Sequence, residues 1–355
     1  MDIRILCLTA LFSFAAPSAY AQGAADRLQT ILGNVPIAAL DAGEGAIVAG
    51  FGNGDAVRWI AVNGARAGRN PETPNRIAAL RSAAPNQQQV IAGTTDEGLR
   101  AAIGLQASDW VNTWEVAQGV ARVGAMDIFP DSEMRLRGAL YVRGLREEVR
   151  GETSVMWTDV SDFEAADDLV DPSNPFGGDL GLPLRVAFLG DRALWATGWP
   201  ALDLALAPNG PTFAGRDDAQ ALIAGLRQVG NLGALVSVRC WLRNGAEVPI
   251  TGAEAGPVEG LALADYANRE TEGAAMVLLL ADGRDTEALA ASLREAWPIL
   301  SDLPSPAEPE ISFSGQAIVV TMQSDWGDDG AETNGAYEAF LSVLNGGRLG
   351  FLLSR

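Results

Sequence analysis

Residues 184–197 read LRVAFLGDRALWAT, and this stretch decides the fold. Val186 and Phe188 alternate toward one face, Gly190-Asp191 makes a turn, and residues 194–197 return, which is the period-two signature of an antiparallel hairpin. A second copy of the plan lies near the C-terminus. There Ile311 and Phe313 precede the turn Ser314-Gly315-Gln316, and residues 317–321 (AIVVT) come back, so the two segments share a Phe-X-Gly corner. Residues 46–62 (AIVAGFGNGDAVRWIAV) give a third version, with Phe51, Gly52 and Gly54-Asp55 at the bend. Helical stretches follow at 73–82, 200–207 and 332–344. The expected architecture is therefore α+β: antiparallel sheets built from repeated strand-strand-helix units, helices packed on one face, and two similar halves.

The helices carry their own punctuation. Asp285 caps a stretch in which Leu289, Leu293 and Trp297 recur on one face and which Pro298 ends. In the last helix Tyr337, Phe340, Leu341 and Leu344 form a similar stripe, closed by Asn345-Gly346-Gly347. Asp217 and Asp218 open another, with Leu222, Leu226 and Val229 inward and Gly230 past its end. Strands are expected at 233–242, 258–267 and 274–281, so that from Val258 onward the order is strand, strand, helix, strand, strand, helix.

The run Phe188-Leu189-Gly190-Asp191, followed by Leu194-Trp195-Ala196-Thr197, the helix 200–207 and the Asp217-Asp218 opening, resembles uncharacterised exported bacterial proteins built from repeated strand-strand-helix units. That resemblance implies a fold plan and export. It transfers no catalytic or ligand-binding residue.

Segments rich in Gly, Pro, Asn and Asp occur at 63–75 (NGARAGRNPETPN) and 167–183 (DDLVDPSNPFGGDLGLP), and 303–310 (LPSPAEPE) carries three prolines. The middle segment lies near the midpoint of the chain. The expected organisation is a signal segment at 1–21, an N-terminal half at 22–170, a loop or linker at 171–183 and a C-terminal half at 184–355.

Residues 1–21 read as a cleaved secretory signal. Arg4 and the terminal amine give a basic start, 5–16 (ILCLTALFSFAA) are apolar, Pro17 breaks the run, and Ala19-Tyr20-Ala21 offers small residues to a peptidase. About twelve apolar residues fall short of the roughly twenty that span a membrane. A periplasmic or secreted location is expected, with no transmembrane segment after cleavage. Cleavage would remove Cys7 and leave Cys240 alone, a core thiol in the apolar run GALVSVRCWL at 233–242.

Composition narrows the chemistry further. The chain has no histidine and no lysine, so imidazole relays, Schiff bases and lysine phosphate clamps are excluded. Forty-five acids against 25 arginines give a net charge of -20, which repels nucleic acid. The arginine group at Arg135, Arg137, Arg143, Arg146 and Arg150 contains Glu147 and Glu148 and reads as a solvated face.

Candidate motifs do not assemble a site. Asp325 to Glu338 (DWGDDGAETNGAYE) fails the calcium-loop register, because Gly327 and Ala336 fall where oxygen donors are needed. Gly50, Gly52 and Gly54 are followed by an apparent strand rather than a helix, so they read as a hairpin turn and not a phosphate cradle. No serine sits in a nucleophile elbow. Among nine tryptophans, Trp157, Trp195, Trp241 and Trp297 lie in apolar runs, whereas Trp110, Trp114, Trp199 and Trp326 are candidates for an exposed surface. No catalytic, cofactor-binding or metal residue is assigned. The expectation is a non-catalytic binding or structural protein whose partner is another envelope protein or a glycan. An apolar patch at Trp110 and Trp114 would serve the first, and a tryptophan-lined pocket with paired carboxylates would serve the second, as a binder or a glycoside hydrolase.

Overall fold

A computed structural model describes residues 23–56, 79–244, 258–268, 271–300, 308–325 and 334–345. Residues 1–22, on which the expected signal falls, Trp59, Trp326 and most of the acidic stretch after Asp325 lie outside the described residues. Eight α-helices are described: α1 Ala24–Gly33, α2 Pro85–Gly93, α3 Asp96–Ile103, α4 Pro130–Val142, α5 Trp199–Leu206, α6 Asp217–Arg227, α7 Thr286–Leu300 and α8 Gly335–Asn345. Twelve strands accompany them. They are β1 Ile47–Asn53, β2 Trp110–Gln118, β3 Ala121–Ile128, β4 Arg146–Arg150, β5 Thr153–Trp157, β6 Arg185–Phe188, β7 Arg192–Ala196, β8 Ala234–Leu242, β9 Val258–Ala267, β10 Thr271–Leu280, β11 Glu310–Ser314 and β12 Ala317–Asp325.

All twelve strands form one sheet in the order β11-β12-β10-β9-β8-β1-β2-β3-β7-β6-β5-β4, and every pairing is antiparallel. The fold is mixed α+β. Two of the expected hairpins form: β6–β7 pairs Phe188 with Ala193, β11–β12 pairs Ser314 with Ala317, and Gly190 and Gly315 take φ of 77° and 59° at their corners. Both conformations are left-handed, which glycine adopts without steric cost.

These hairpins occupy equivalent places. A helix, three meandering strands, a second helix and a returning hairpin give the order β1-β2-β3-β7-β6, with β4 and β5 added beyond β6. The same plan recurs as α6, β8-β9-β10, α7 and β11–β12, in the order β8-β9-β10-β12-β11. The two plans meet at the antiparallel pair β1·β8, and α1 packs beside α6. The repeating unit is thus longer than strand-strand-helix.

The expected hairpin at 46–62 does not form. Residues 47–53 of β1 pair with β2 on one side and β8 on the other, so neither edge is free for residues 57–62. The glycines serve close approach instead. A Cβ on Gly52 would lie 1.7 Å from the Ser82 carbonyl oxygen, and one on Gly54 would lie 1.8 Å from that of Val111.

Helices cover both faces, not one. On the first face Leu28 and Leu32 of α1, Leu202 of α5, and Leu222, Ile223 and Leu226 of α6 join Ala49, Val116, Val123, Cys240, Ala264 and Val277 in a single apolar cluster. The opposite face carries two clusters. One packs α2, α3 and α4 through Ile91, Leu99, Leu136 and Leu140 around Trp195, and the other packs α7 and α8 through Leu293, Trp297 and Phe340 on β9, β10 and β12. Near-continuous apolar strands such as 274–280 (AAMVLLL) are buried on both sides, and each side requires its own cover.

Segment 171–183 does not divide the sheet. Strands on either side of it pair with one another, β5 with β6 and β3 with β7, and Phe176 within it is fully buried against Trp195 at 5.8 Å. Helix α7 also runs on past Pro298 to Leu300. Its start is as expected, with the Ala288 amide donating to the Asp285 carboxylate at 2.9 Å.

Candidate functional site

Between the two clusters of the second face lies a seam of buried charge. Asp265 ends an apolar run on β9, Glu272 opens one on β10, and both point to the face that carries Leu263 and Met276. Arg81 reaches them from the segment just before α2. Its Nε and Nη2 donate to the two Asp265 carboxylate oxygens at 3.0 and 2.9 Å, and its Nη1 donates to Glu272 Oε1 at 2.6 Å. Asn334 completes the group: its Nδ2 donates to Asp265 Oδ1 at 2.6 Å and to the Gly273 carbonyl at 2.8 Å, while its Oδ1 accepts from the Ala336 and Tyr337 amides at the start of α8. One buried network therefore ties four segments together: β9, β10, the start of α8 and the stretch before α2.

Charge in this seam is constrained by burial. Desolvation opposes the Arg81 cation, but Asp265 and then Glu272 outweigh it and raise its pKa. Burial pushes the Glu272 carboxyl up to about 7 despite the opposing pull of Arg81. Glu338 is raised by burial and by the charge of Asp265, and Tyr337 is raised by burial above all. A carboxyl near neutrality resembles a general acid or base. Here its proximal oxygen is already held by a bidentate-capable guanidinium, and Arg81, Asp265, Glu272 and Asn334 are each at most 9 % exposed. The arrangement suits a structural staple.

A second concentration of polar and aromatic groups lies at the β5–β6 end of the first face. Trp157 and Trp199 stand 5.9 Å apart between ring centroids, inclined at 55°. Their faces are occupied by guanidinium groups: Arg150 lies 4.1 Å from the Trp199 centroid, Arg185 lies 5.2 Å from Trp199 and 5.7 Å from Trp157, and Arg146 lies 5.7 Å from Trp157. Nearby acids are also engaged, Asp159 by Arg146 at 2.7 Å, Asp162 by Arg185 at 3.0 Å and Asp203 by Arg150 at 3.4 Å. Arg185 is fully buried, donates to the Thr158 and Val160 carbonyls, and has its pKa lowered by that burial. The cluster is a cation–π edge closure of the sheet. Each indole carries guanidinium groups within 6 Å of its ring centroid, where a sugar ring would have to compete with them.

The expected patch at Trp110 and Trp114 is overturned, because both side chains are buried. Trp114 packs in the first-face cluster and Trp110 in the second. Adjacent even positions on β2 straddle a register shift, so the two rings enter opposite faces. Trp195 and Trp297 are buried, as packing requires, and Cys240 is a buried core thiol whose pKa burial pushes up to about 12. Among the described residues no cluster of metal-ligating side chains occurs.

Exposed apolar surface is found elsewhere, on α4 and β4. Leu136 and Leu140 of α4 face the sheet, while Met134, Tyr141 and Val142 are 78 %, 73 % and 84 % exposed and, with Gly138, make a stripe at helical spacing. Val149 on β4 is 72 % exposed. The arginines beside this stripe are paired, Arg135 with Asp109, Arg137 with Glu133 and Glu147, and Arg143 with Asp171, while Arg146 and Arg150 turn to the other face of the sheet. Reading α4 alone could have found the stripe, since MRLRGALYV carries apolar residues on both of its faces.

No family model matches the chain. No curated protein matches it either. Among solved structures, crystal form I of TP0453 is similar over 87 % of this chain and 97 % of that one, at 9 % identity and a TM-score of 0.42. Crystal form III covers 86 % and 98 % at 9 % identity and 0.39, and form IV 86 % and 96 % at 8 % identity and 0.38. Likeness at that level carries no argument about activity, ligand or partner.

Proposed function

We propose that this protein is exported to the periplasm or beyond the cell and acts there without catalysis, through a protein-binding surface formed by α4 and the sheet edge at β4. The observation that carries this reading is the contrast in how polar and apolar groups are used. Buried ionisable groups are consumed by one another, as in Arg81–Asp265–Glu272, whereas three large apolar side chains of one helix stand open to solvent. Such a stripe costs solubility unless a partner covers it. The absence of histidine and lysine from the sequence fits the same reading, as does the secretory signal read at 1–21.

A photo-reactive residue placed at Tyr141 tests the surface in the producing cell, with Glu97 on α3 as an exposed control. Crosslinking to a defined protein from Tyr141 and not from Glu97 is expected, together with recovery of a mature N-terminus at Gln22 from the envelope fraction. Equal, diffuse labelling from both positions would remove the support for this surface. The carbohydrate-directed alternative predicts instead that a glycan quenches the fluorescence of Trp157 and Trp199, which their guanidinium cover argues against.

A further inference from the structure

Among the described residues strand β4 ends the sheet, and its residues 146–150 (REEVR) pair with β5 alone. The hairpin pairs Arg150 with Thr153 across Gly151 and Glu152, and Gly151 takes φ of 63° at the first central position. In a two-residue hairpin the residues flanking the loop form the closing hydrogen-bonded pair, and bonded and non-bonded pairs then alternate along the ladder. Backbone groups of Arg150, Glu148 and Arg146 therefore point to β5. Those of Glu147 and Val149 point outward. An added antiparallel strand must meet Glu147 and Val149 with outward-pointing residues of its own.

We infer that the occupant of this edge is a second copy of the chain, paired β4 to β4 about a two-fold axis at Val149, an inference that rests on the interaction reading above and names its partner. Three registers bring outward residues of the two copies opposite each other. The register centred on Glu147 sets that acid against itself, with Arg146 opposite Glu148 on either side. Placing Glu147 opposite Val149 sets Arg146 against Arg150 and Glu148 against Glu148. Centring on Val149 sets Glu148 opposite Arg150 twice and brings the two Val149 side chains together. Directly opposed like charges destabilise a strand pair and opposite charges stabilise it, so charge selects the third register.

Apolar surface agrees with that choice. Val149 lies opposite Ser154 and on the same side of the sheet as Met156, which belongs to the cluster beneath α4. Directly opposed residues in an antiparallel pair share a face, so both copies of α4 lie on the same side of the joined sheet, each presenting Met134 and Tyr141. A charged edge commonly guards against pairing. In β4 the charges are spaced so that the Val149-centred register alone of the three has no like charges opposed.

Sedimentation equilibrium of the mature protein tests this, with a dimer expected for the native sequence. Val149→Pro removes only an outward N–H, which an edge strand tolerates, and Val149→Pro and Glu148→Arg are each expected to weaken association by about tenfold or more. The double exchange E148R/R150E restores it. Circular dichroism and thermal unfolding of Val149→Pro separate a lost contact from a lost fold. A monomer at all concentrations, or a dimer indifferent to both single changes, overturns the inference. A monomer that binds phosphatidylcholine–phosphatidylglycerol vesicles through Tyr141 overturns it in favour of a lipid surface. A monomer that still crosslinks from Tyr141 to a different protein overturns the second copy and leaves the interaction reading standing.

Discussion

The two faces of the sheet are held by different physics. On the first face one unbroken apolar cluster runs from Val155 on β5 to Val319 on β12, under α1, α5 and α6. The second face is interrupted at the centre, where Arg81, Asp265, Glu272 and Asn334 separate the cluster of α2–α4 from that of α7 and α8. Apolar burial is non-directional and tolerant of small shifts, whereas a buried ion pair stabilises only while every partner remains. Both faces are stabilised by apolar burial, and on the second the charged seam also fixes how its two clusters are joined.

The largest break in this comparison is Arg81→Ala. It leaves Asp265 and Glu272 buried without their cation, and a loss of about 3–5 kcal/mol in urea unfolding is expected, with α8 loosened through Asn334. A first-face counterpart is Leu222→Ala, fully buried on α6, which is expected to cost about 2–5 kcal/mol by cavity formation, with no dependence on pH. Equal pH dependence in the two variants would erase the distinction between the faces.

Proton linkage sharpens it. The Glu272 carboxyl is raised to about 7 from an unfolded value of 4.5, so its contribution is fully present below 4.5 and is lost as the pH rises through 7. Between those limits the native chain is expected to lose on the order of 3 kcal/mol relative to Glu272→Gln, read as the difference between their stability–pH curves. Parallel curves would mean that Glu272 is ionised at no cost. The smallest effect belongs to the open surface. Tyr141→Gln is expected to change monomer stability by less than about 0.5 kcal/mol, measured below the concentration at which copies associate.

How much of this was legible depended on the range of the contacts. The hairpins at 184–197 and 311–321, the cap at Asp285 and the helix opening at Asp217-Asp218 rest on neighbours in sequence, and they appear where the alternation and the turn residues place them. The glycine run at 50–54 looked like a third hairpin because its local signals match one. Its strand is instead captured on both sides by residues 110–118 and 234–242, which no local pattern reveals. Arg81 lies 184 residues from Asp265 and 191 from Glu272. A clue was present all the same: Asp265 and Glu272 interrupt otherwise apolar strands, and a charge in such a place demands a buried counter-charge.

The sequence by itself determined the two hairpin corners at Gly190 and Gly315, the helices opened at Asp217 and Asp285, the apolar strands, and the lack of histidine and lysine chemistry, because these follow from side-chain period, turn propensity and composition within a few residues. Only the tertiary structure decided that two plans join into one sheet at β1·β8, that Trp110 and Trp114 turn inward, that Arg81 finds its two carboxylates, and that no described residue covers the outer side of α4 or the edge of β4. Each of those outcomes depends on which distant strand occupies an edge or a face, and that is settled by the free energy of the whole packed chain, not by any segment of it.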